Sequence, residues 1–168
     1  VREEYPEYYA RPVAAVGDSK PRLLIVGLAP GMHGANATGR PFTGDYAGIL
    51  LYKTLHEFTF SNQPLSIHHD DGLILKDCRI TNAVKCLPPQ NKPKGDEIIL
   101  CNSYLSAELQ QLDVGAIILA LGTIAHKAVL RALGLRMANY PFAHGREYPL
   151  PQNQWLVDSY HCSRYNTP

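Results

Sequence analysis

The sequence predicts an α/β fold: a three-layer α/β/α sandwich with a central, mostly parallel four-stranded sheet, formed by a single domain of residues 1–168. Two observations support this prediction. Four short apolar runs alternate along the chain with amphipathic segments of helical period, which is the pattern of a parallel sheet covered by helices. In addition, 168 residues with 45% hydrophobic and 18% charged side chains are enough for one globular domain with a sizeable core.

The first half of the chain supplies one strand, one helix and two long connections. Residues 22–27 (RLLIVG) are too uniformly apolar for a sheet with one solvated face, so they are predicted to be a buried strand. Apolar side chains recur at helical spacing over residues 46–58, and Asp45 before them is a natural N-cap. Residues 59–76 show no such period and are predicted to be irregular.

The second half continues the alternation of strands and helices. Residues 78–84 (CRITNAV) are predicted to be a strand, which cannot extend further because three prolines follow it and proline lacks an amide hydrogen. An amphipathic helix, a strand, a second helix and a last strand come next. These predicted elements are residues 96–111, 114–121, 123–133 and 155–159.

A long glycine-rich loop, GLAPGMHGANATGRPFTGD at residues 27–45, begins where the first strand ends. A loop of this kind before a helix can bind phosphate. This one contains no lysine and matches neither G-x-x-x-x-G-K-[ST] nor G-x-G-x-x-G, which argues against the common nucleotide-binding sites. A purely structural turn stays open as the alternative.

Polar loops follow three of the predicted strands and meet at one edge of the sheet, where α/β folds bind ligands. Asn82 lies toward the end of the second predicted strand, and its amide suits the imide edge of a pyrimidine, although an Asn at a strand end also satisfies backbone groups. After the last strand, residues 160–166 (YHCSRYN) place Ser163, Arg164 and Asn166 where they suit phosphate contacts. A serine hydrolase is not supported, because no G-x-S-x-G elbow occurs.

Charge and cysteine usage narrow the possible functions. The net charge is +1, so nucleic-acid binding would depend on a local basic patch. With no apolar run of 18 residues and no secretory signal, a soluble cytoplasmic protein is predicted. The four cysteines form no Cys-x-x-Cys pair, so neither disulfides nor a zinc knuckle is expected. Five basic residues fall on the predicted ligand-binding edge: Arg40, Lys85, Lys92, Lys94 and Arg164.

Three motifs occur in order along nearly the whole chain: the glycine-rich loop, ITNAVKCLPP at 80–89 with ALG at 120–122 further on, and SYHCSRYN at 159–166. In this combination the chain resembles the uracil-DNA glycosylase superfamily, most closely its family 5 (type b) branch, with the iron–sulfur family 4 as the near relative. The resemblance implies a DNA-repair monofunctional glycosylase that hydrolyses the N-glycosidic bond of a flipped uracil and leaves an abasic site. The branch also implies a wider base choice, with hypoxanthine or xanthine as further substrates.

The resemblance assigns roles to individual side chains. Phe42 would stack on the flipped base, Asn82 would read the uracil edge, and His161 would stabilise the departing uracil anion. The residues implied to bind the substrate base are Gly27, Ala29, Phe42, Asn82 and His161, and those implied to contact DNA are Ser163, Arg164 and Asn166.

One departure from other branches of the superfamily concerns water activation. Leu28 and Ala29 occupy the positions that carry an acidic or polar residue elsewhere, and neither side chain can take a proton. Asp45 is the nearest acid in the loop, so it is predicted to be catalytic, orienting water or stabilising the cationic sugar, with a helix N-cap as the alternative role. His33 and Asn36 are further candidates for lining the pocket.

The resemblance also implies a four-iron four-sulfur cluster held by four cysteines. Cys86 and Cys101 match two of the ligands, and the other two would precede Glu3, outside this sequence. We therefore expect either termini that are truncated or a protein without the cluster.

The expected partner is uracil-containing DNA, double- or single-stranded, bound by a monomer without membrane contact. Two alternatives stay open: a catalytically weak protein that only binds uracil-DNA, and a small-molecule or nucleotide hydrolase on the same scaffold. An affinity for DNA that falls with salt concentration would favour the two DNA-binding interpretations over the small-molecule or nucleotide hydrolase.

Overall fold

The fold is a six-stranded sheet with helices on both faces, seen in a computed structural model that describes residues 1–166. The strands are β1 (Val16–Gly17), β2 (Leu23–Gly27), β3 (Cys78–Asn82), β4 (Ile117–Leu121), β5 (Glu147–Pro149) and β6 (Trp155–Ser159). The helices are α1 (Ala35–Thr38), α2 (Tyr46–Glu57), α3 (Gly95–Gln110) and α4 (Thr123–Ala132), with short 3₁₀ turns at Pro89–Asn91, Met137–Asn139 and Pro151–Asn153.

The strand order is β1-β3-β2-β4-β6-β5, and the four central strands are parallel. The predicted parallel core is therefore confirmed, but the predicted number of four strands is too low. β1 and β5 add one antiparallel strand at each edge. With two and three residues they are too short to show a period in the sequence.

The alternating side chains of β2 explain the three layers. Leu24 and Val26 point into a core shared with α3 and α4, whereas Ile25 points to the opposite face, which α2 covers. All three are fully buried, and burial of such a side chain stabilises the fold by about 1.5–3 kcal/mol. The sequence pattern predicted this sandwich because a strand buried on both faces has no polar side.

The register brings the carboxyl ends of the central strands to one edge. Gly27 at the end of β2 pairs with Asn82 at the end of β3, and Leu121 of β4 pairs with Ser159 of β6. The loops that follow these strands are therefore neighbours. None of the helices described within residues 1–166 has the length and apolar character needed to cross a membrane.

Two predicted strands are shorter than expected. The strand predicted over 78–84 ends at Asn82, although the next two residues still hydrogen-bond to the loop after β2, through Ala83 N to Gly27 O at 2.9 Å and Val84 N to Leu28 O at 3.0 Å. The strand predicted over 114–121 begins at Ile117. A turn with Gly115 at φ +84° precedes it, so the apolar residues before β4 belong to that turn.

Candidate active site

A small cavity of about 150 Å³ opens at the carboxyl edge of the sheet. A cavity of this volume accommodates one six-membered ring. Its walls come from the glycine-rich loop, the end of β3 and the loop after β6. The lining residues are Leu28, Ala29, Gly31, Ala35, Phe42, Asp45, Asn82 and His161.

Phe42 forms an aromatic wall of this cavity and is 6% exposed. Its backbone has φ +54°, a conformation that costs free energy for a residue with a side chain. The ring stacks near His161, with 5.7 Å between ring centroids and 29° between the planes. Gly27 lies against the ring, since a Cβ at this position would be 2.5 Å from Phe42 Cζ. Only glycine fits there, so Gly27 acts by leaving room for Phe42 and Asn82.

A polar network holds the unusual backbone of Phe42 in place. Tyr52 Oη donates to the carbonyl of Pro41 at 2.7 Å, and burial raises the pKa of this phenol to about 12. On the other side of Phe42, Thr43 Oγ1 and Ser66 Oγ form a hydrogen bond at 2.6 Å. These contacts fix the residues immediately before and after the ring.

Arg40 anchors the same loop from inside the protein. The residue is 3% exposed, and its guanidinium forms an ion pair with Asp71 at 2.8 Å. Burial alone would raise the pKa of the Asp71 carboxyl, but backbone amides and Arg40 outweigh that effect and lower the pKa to about 2. The carboxylate is therefore charged at neutral pH and holds the loop of residues 67–73 against Arg40.

Asn82 is placed by β3 with its side chain at the cavity wall and is only 3% exposed. Among the residues that the structure describes, its amide forms no side-chain hydrogen bond. Most buried polar groups in proteins are paired, so an unpaired amide that lines a cavity is free to bind a ligand. One flat amide can both donate and accept toward the edge of a base.

Asp45 has two roles in the geometry. Its Oδ1 accepts a hydrogen bond from Gly48 N at 3.0 Å, so the predicted N-cap of α2 is confirmed. Its Oδ2 lies over the glycine-rich loop, where a Cβ on Gly34 would approach it to 2.7 Å. The carboxylate therefore caps the helix with one oxygen and lines the cavity as well.

His161 is half-buried beside Phe42. Burial lowers the pKa of its imidazole, although the nearby charge of Asp45 acts in the opposite direction. The ring is therefore neutral at pH 7. Asn166 fixes the loop that carries it, because Asn166 Nδ2 donates to His161 O at 2.9 Å and Asn166 N donates to Ser163 O at 3.0 Å. The adjacent Cys162 is inert as a nucleophile, since burial raises its pKa to about 11.

The predicted basic patch is wrong for two of its five residues. Arg40 is buried in the pair with Asp71, and Lys85 is 7% exposed and paired with Glu108 of α3 at 2.9 Å. Burial lowers the pKa of the Lys85 ammonium, while the Glu108 carboxylate raises it. The basic residues that remain exposed are Lys92, Lys94 and Arg164.

The three predicted DNA-contact residues lie together after β6. Arg164 is exposed, and its guanidinium lies 5.2 Å from the ring centroid of Tyr46 at the start of α2. Ser163 is half-buried, and Asn166 is exposed and already bonds within the loop. Arg164 is thus the member of this set that carries an exposed positive charge.

His33 and Asn36 lie beside the cavity rather than in its wall. His33 Nδ1 bonds the hydroxyl of Tyr8 at 2.7 Å. Asn36 is 3% exposed and faces a separate cleft, which also contains Val1 and Cys86.

Cys86 and Cys101 are near enough to interact electrostatically. Cys86 is exposed and Cys101 is half-buried on α3. Partial burial first, and then the charge of Cys101, raise the pKa of the Cys86 thiol. Both side chains are thiols, which is the ligand type that iron–sulfur clusters require. Within residues 1–166 no third ligand joins them, since the group of three potential ligands found there is His68, His69 and Asp70.

Sequence reasoning missed several residues of the site. Gly31 and Ala35 line the cavity because the glycine-rich loop folds back through α1. A four-residue helix gives no usable period, so the sequence could not reveal it. The supporting network of Arg40 and Asp71 was also missed, although an arginine next to Pro41 and Phe42 was a signal that a charge had to be paired there.

Comparisons with known proteins agree with this arrangement. The family model described as "Uracil DNA glycosylase superfamily" matches residues 14–168. A type-5 uracil-DNA glycosylase of Thermus thermophilus is 49% identical over 160 residues, which are 95% of this chain and 73% of the relative. A type-5 enzyme of Pyrobaculum aerophilum is 42% identical, covering 98% of this chain and 71% of the relative. A type-4 uracil-DNA glycosylase of Saccharolobus solfataricus is more distant, with 31% identity over 81% of this chain and 56% of the relative.

Proposed function

Because the chain belongs to the uracil DNA glycosylase superfamily, we propose that it removes uracil from DNA by hydrolysing the bond between N1 of the base and C1′ of the sugar. The products are free uracil and an abasic site. The observation that carries this proposal is the buried Asn82 amide, which has no hydrogen-bond partner among the described residues and lines a cavity of about 150 Å³ beside Phe42.

Base recognition combines stacking and hydrogen bonds. A uracil extruded from DNA stacks on Phe42, and the Asn82 amide donates to one imide oxygen and accepts from N3–H. Gly27 keeps this space open, because any side chain there would meet both groups. Ala29 forms a small apolar wall of the cavity. A pyrimidine fits without repacking, so the protein does not have to reorganise at the moment of reaction.

Bond breaking needs stabilisation of two opposite charges. As the C1′–N1 bond lengthens, the bonding electron pair moves to uracil and the sugar becomes cationic. A neutral His161 can donate one ring N–H to the carbonyl oxygen O2 where the negative charge develops. The carboxylate of Asp45 stabilises the cationic sugar, orients the water that attacks C1′ and accepts the proton that this water loses, while uracil leaves as the anion. Positioned groups of this kind lower a barrier by several kcal/mol, about 3–4 kcal/mol for one donor.

We choose Asp45 as the acidic residue of the mechanism because the two positions that carry an acidic or polar residue in other branches of the superfamily are apolar in this chain. Leu28 and Ala29 line the same cavity and cannot carry a proton. Asp45 keeps Oδ2 directed toward the glycine-rich loop while Oδ1 caps α2. The N-cap fixes the carboxylate in position, so the two roles support each other.

DNA binding involves the loop after β6 and the exposed lysines. We place Arg164 on a phosphate and assign Ser163 and Asn166 to the same backbone contact. Lys92 and Lys94 are exposed on the loop after β3 and add charge near that edge. We propose that both single- and double-stranded DNA are accepted by a monomer in the cytoplasm, and that hypoxanthine or xanthine are further substrate bases.

We also propose that Cys86 and Cys101 supply two of the four thiolates of a four-iron four-sulfur cluster. The cleft that contains Cys86 is lined by Val1 and Arg2 as well, so residues preceding Val1 in a longer chain would come close to it. Such a cluster would cross-link the structure and take no part in hydrolysis. Iron and acid-labile sulfide in the longer chain, lost together in Cys86→Ser, would support this assignment, and an iron-free protein of full stability would contradict it.

Release of free base from labelled DNA tests the main proposal. The substrates are one duplex with uracil opposite guanine and a matched duplex with hypoxanthine. We expect free uracil and an alkali-labile site from the first duplex. Tight binding without base release would instead indicate a protein that only recognises uracil-DNA. Affinity for DNA that does not change with salt would contradict phosphate contacts altogether.

A further inference from the structure

A second and larger cavity of about 460 Å³ adjoins the base cavity, and Asp45 lines both. The side chains of its walls are mostly apolar and strongly exposed: Tyr46 by 41%, Ile49 by 57%, Leu65 by 54% and Ile67 by 69%. We call this surface the outer groove. Exposed apolar side chains scattered singly are ordinary, but a contiguous set beside a candidate active site marks a binding surface.

The wall of the outer groove is held rigidly from behind. Ser66, between Leu65 and Ile67, accepts a hydrogen bond from Arg40 Nη1 at 2.8 Å. The backbone amide of Ile67 donates to Asp71 Oδ2 at 2.7 Å. The same ion pair that supports the Phe42 loop therefore also fixes this wall. A groove that is formed before binding loses little conformational entropy when it is filled.

Arg164 and Tyr46 indicate which kind of ligand the groove can bind. The guanidinium of Arg164 lies 5.2 Å from the centroid of the Tyr46 ring, and both groups are exposed. Exposed tyrosine and arginine side chains side by side are typical of sites that bind unpaired nucleotides, because a base can stack on the ring and the cation can meet the phosphate.

We propose that the outer groove binds the nucleobase next to the extruded uracil on the same strand. This inference rests on the proposed function. Extrusion of one base removes a stacking partner from its neighbour, which costs free energy. The outer groove begins at Asp45, where the base cavity ends, so a strand that places uracil in the inner cavity carries the next base to Tyr46. Stacking there compensates for the lost contact in DNA.

Uracil release from short single-stranded oligonucleotides tests this inference. One oligonucleotide has all its bases, and two others carry an abasic analogue on the 5′ or the 3′ side of the uracil. For the protein as it is, we expect KM to rise about tenfold when the neighbouring base is missing on one side. Tyr46→Ala should raise KM for the complete oligonucleotide by a similar factor. The KM of this variant should then be the same whether or not the neighbouring base is present.

Two further variants separate stacking from a general effect. Tyr46→Phe retains the ring and should keep KM within about twofold. Tyr104→Ala removes another exposed tyrosine, which lies on α3 and is 63% exposed, and should leave KM unchanged. A normal KM for Tyr46→Ala, or a variant that still responds to the missing base, would overturn the inference. So would a native mass that falls on this substitution, which would identify the groove as a contact between copies of the chain.

The same assay distinguishes this inference from its premise. Equal KM values for all three oligonucleotides would overturn the inference that the outer groove binds a nucleobase and would leave the proposed function intact. No uracil release from any of them would overturn the proposed function, and the inference with it.

Discussion

Two sets of polar side chains meet at the loop that carries Phe42, and the protein treats them differently. Arg40 is satisfied almost completely, by Asp71, Ser66 and the carbonyl of His69, with only its Nε unpaired. Asn82 is as deeply buried, yet no described group pairs with its amide.

The difference separates structural from functional polarity. Arg40 and its partners Asp71 and Ser66 form their hydrogen bonds within the protein. They therefore stabilise the loop and have little capacity left to bind a ligand. The Asn82 amide makes no such bond with the described residues, so its donor and acceptor stay available to a group that enters the cavity. Variants in the two sets should therefore have opposite effects on activity and stability.

The largest expected effect is on catalysis, from Asn82→Ala. We expect uracil release to fall by about 10²–10³-fold, the range for loss of one positioned hydrogen-bonding group. The free energy of unfolding should stay the same or rise slightly, because no protein hydrogen bond is lost. Single-turnover kinetics and urea unfolding measure the two effects. A marked loss of stability would show that the amide has a structural partner.

Asp71→Asn should have the reverse effect. Removing one partner of a buried ion pair lowers the free energy of unfolding by about 3 kcal/mol, while uracil release well below the melting temperature should change only a few-fold. The pKa of Asp71 is lowered to about 2, so its stabilising effect is full above its ordinary pKa near 4 and is lost as pH falls toward 2. The difference in unfolding free energy between the unaltered protein and Asp71→Asn should therefore become smaller as the pH falls through this range.

The neighbouring Asp70→Asn is the matched control. Asp70 is exposed and pairs with the exposed His68 at 2.6 Å, so its neutralisation should have little effect on unfolding. Equal losses of stability in the two variants would mean that burial of the Arg40 pair is not what stabilises this loop.

Asp45 combines a structural role as the N-cap of α2 with a place in the cavity wall, and substitutions can separate the two. Asparagine is as good an N-cap as aspartate, so Asp45→Asn should leave the unfolding free energy unchanged. Loss of the carboxylate should lower uracil release about a hundredfold. Asp45→Ala should show the same kinetic loss and also lose about 1 kcal/mol of stability. Full activity of Asp45→Asn would remove this acid from the mechanism.

The smallest effect should be a change in the pH dependence of stability at His161. Burial lowers the pKa of this imidazole below its ordinary value near 6.5. The unfolded chain therefore binds more protons, and stability is full above pH 6.5 and falls as pH drops through the folded pKa. His161→Gln cannot titrate, so its unfolding free energy should change less from pH 7 to acidic pH. Parallel curves for the two proteins would contradict the burial of this ring.

The parts of the site that the sequence revealed are those with local signals. Asp45 was identifiable as an N-cap because the helical period begins directly after it. The prolines limited how far the second strand could extend, which was enough to place Asn82 near the carboxyl edge, although β3 ends two residues before the predicted end. The resemblance to known glycosylases added Phe42 and His161, which no local pattern singled out, and the structure places both in one cavity with Asp45 and Asn82.

The parts that the sequence did not reveal depend on distant partners. Arg40 and Lys85 looked like members of a surface patch, but Asp71 lies 31 residues from Arg40 and Glu108 lies 23 residues from Lys85. Two edge strands were missed because they exist only through pairing with β3 and β6.

The sequence by itself determined the fold class, the order of the central strands and helices along the chain, and the edge where the functional loops gather. These follow from hydrophobic period and helix caps, which act over a few residues. Only the tertiary structure decided which polar groups are paired and which are left for a ligand. Burial and pairing are set by contacts between residues far apart in the chain, and no local pattern encodes the distance between Arg40 and Asp71 or the absence of a partner for Asn82 among the described residues.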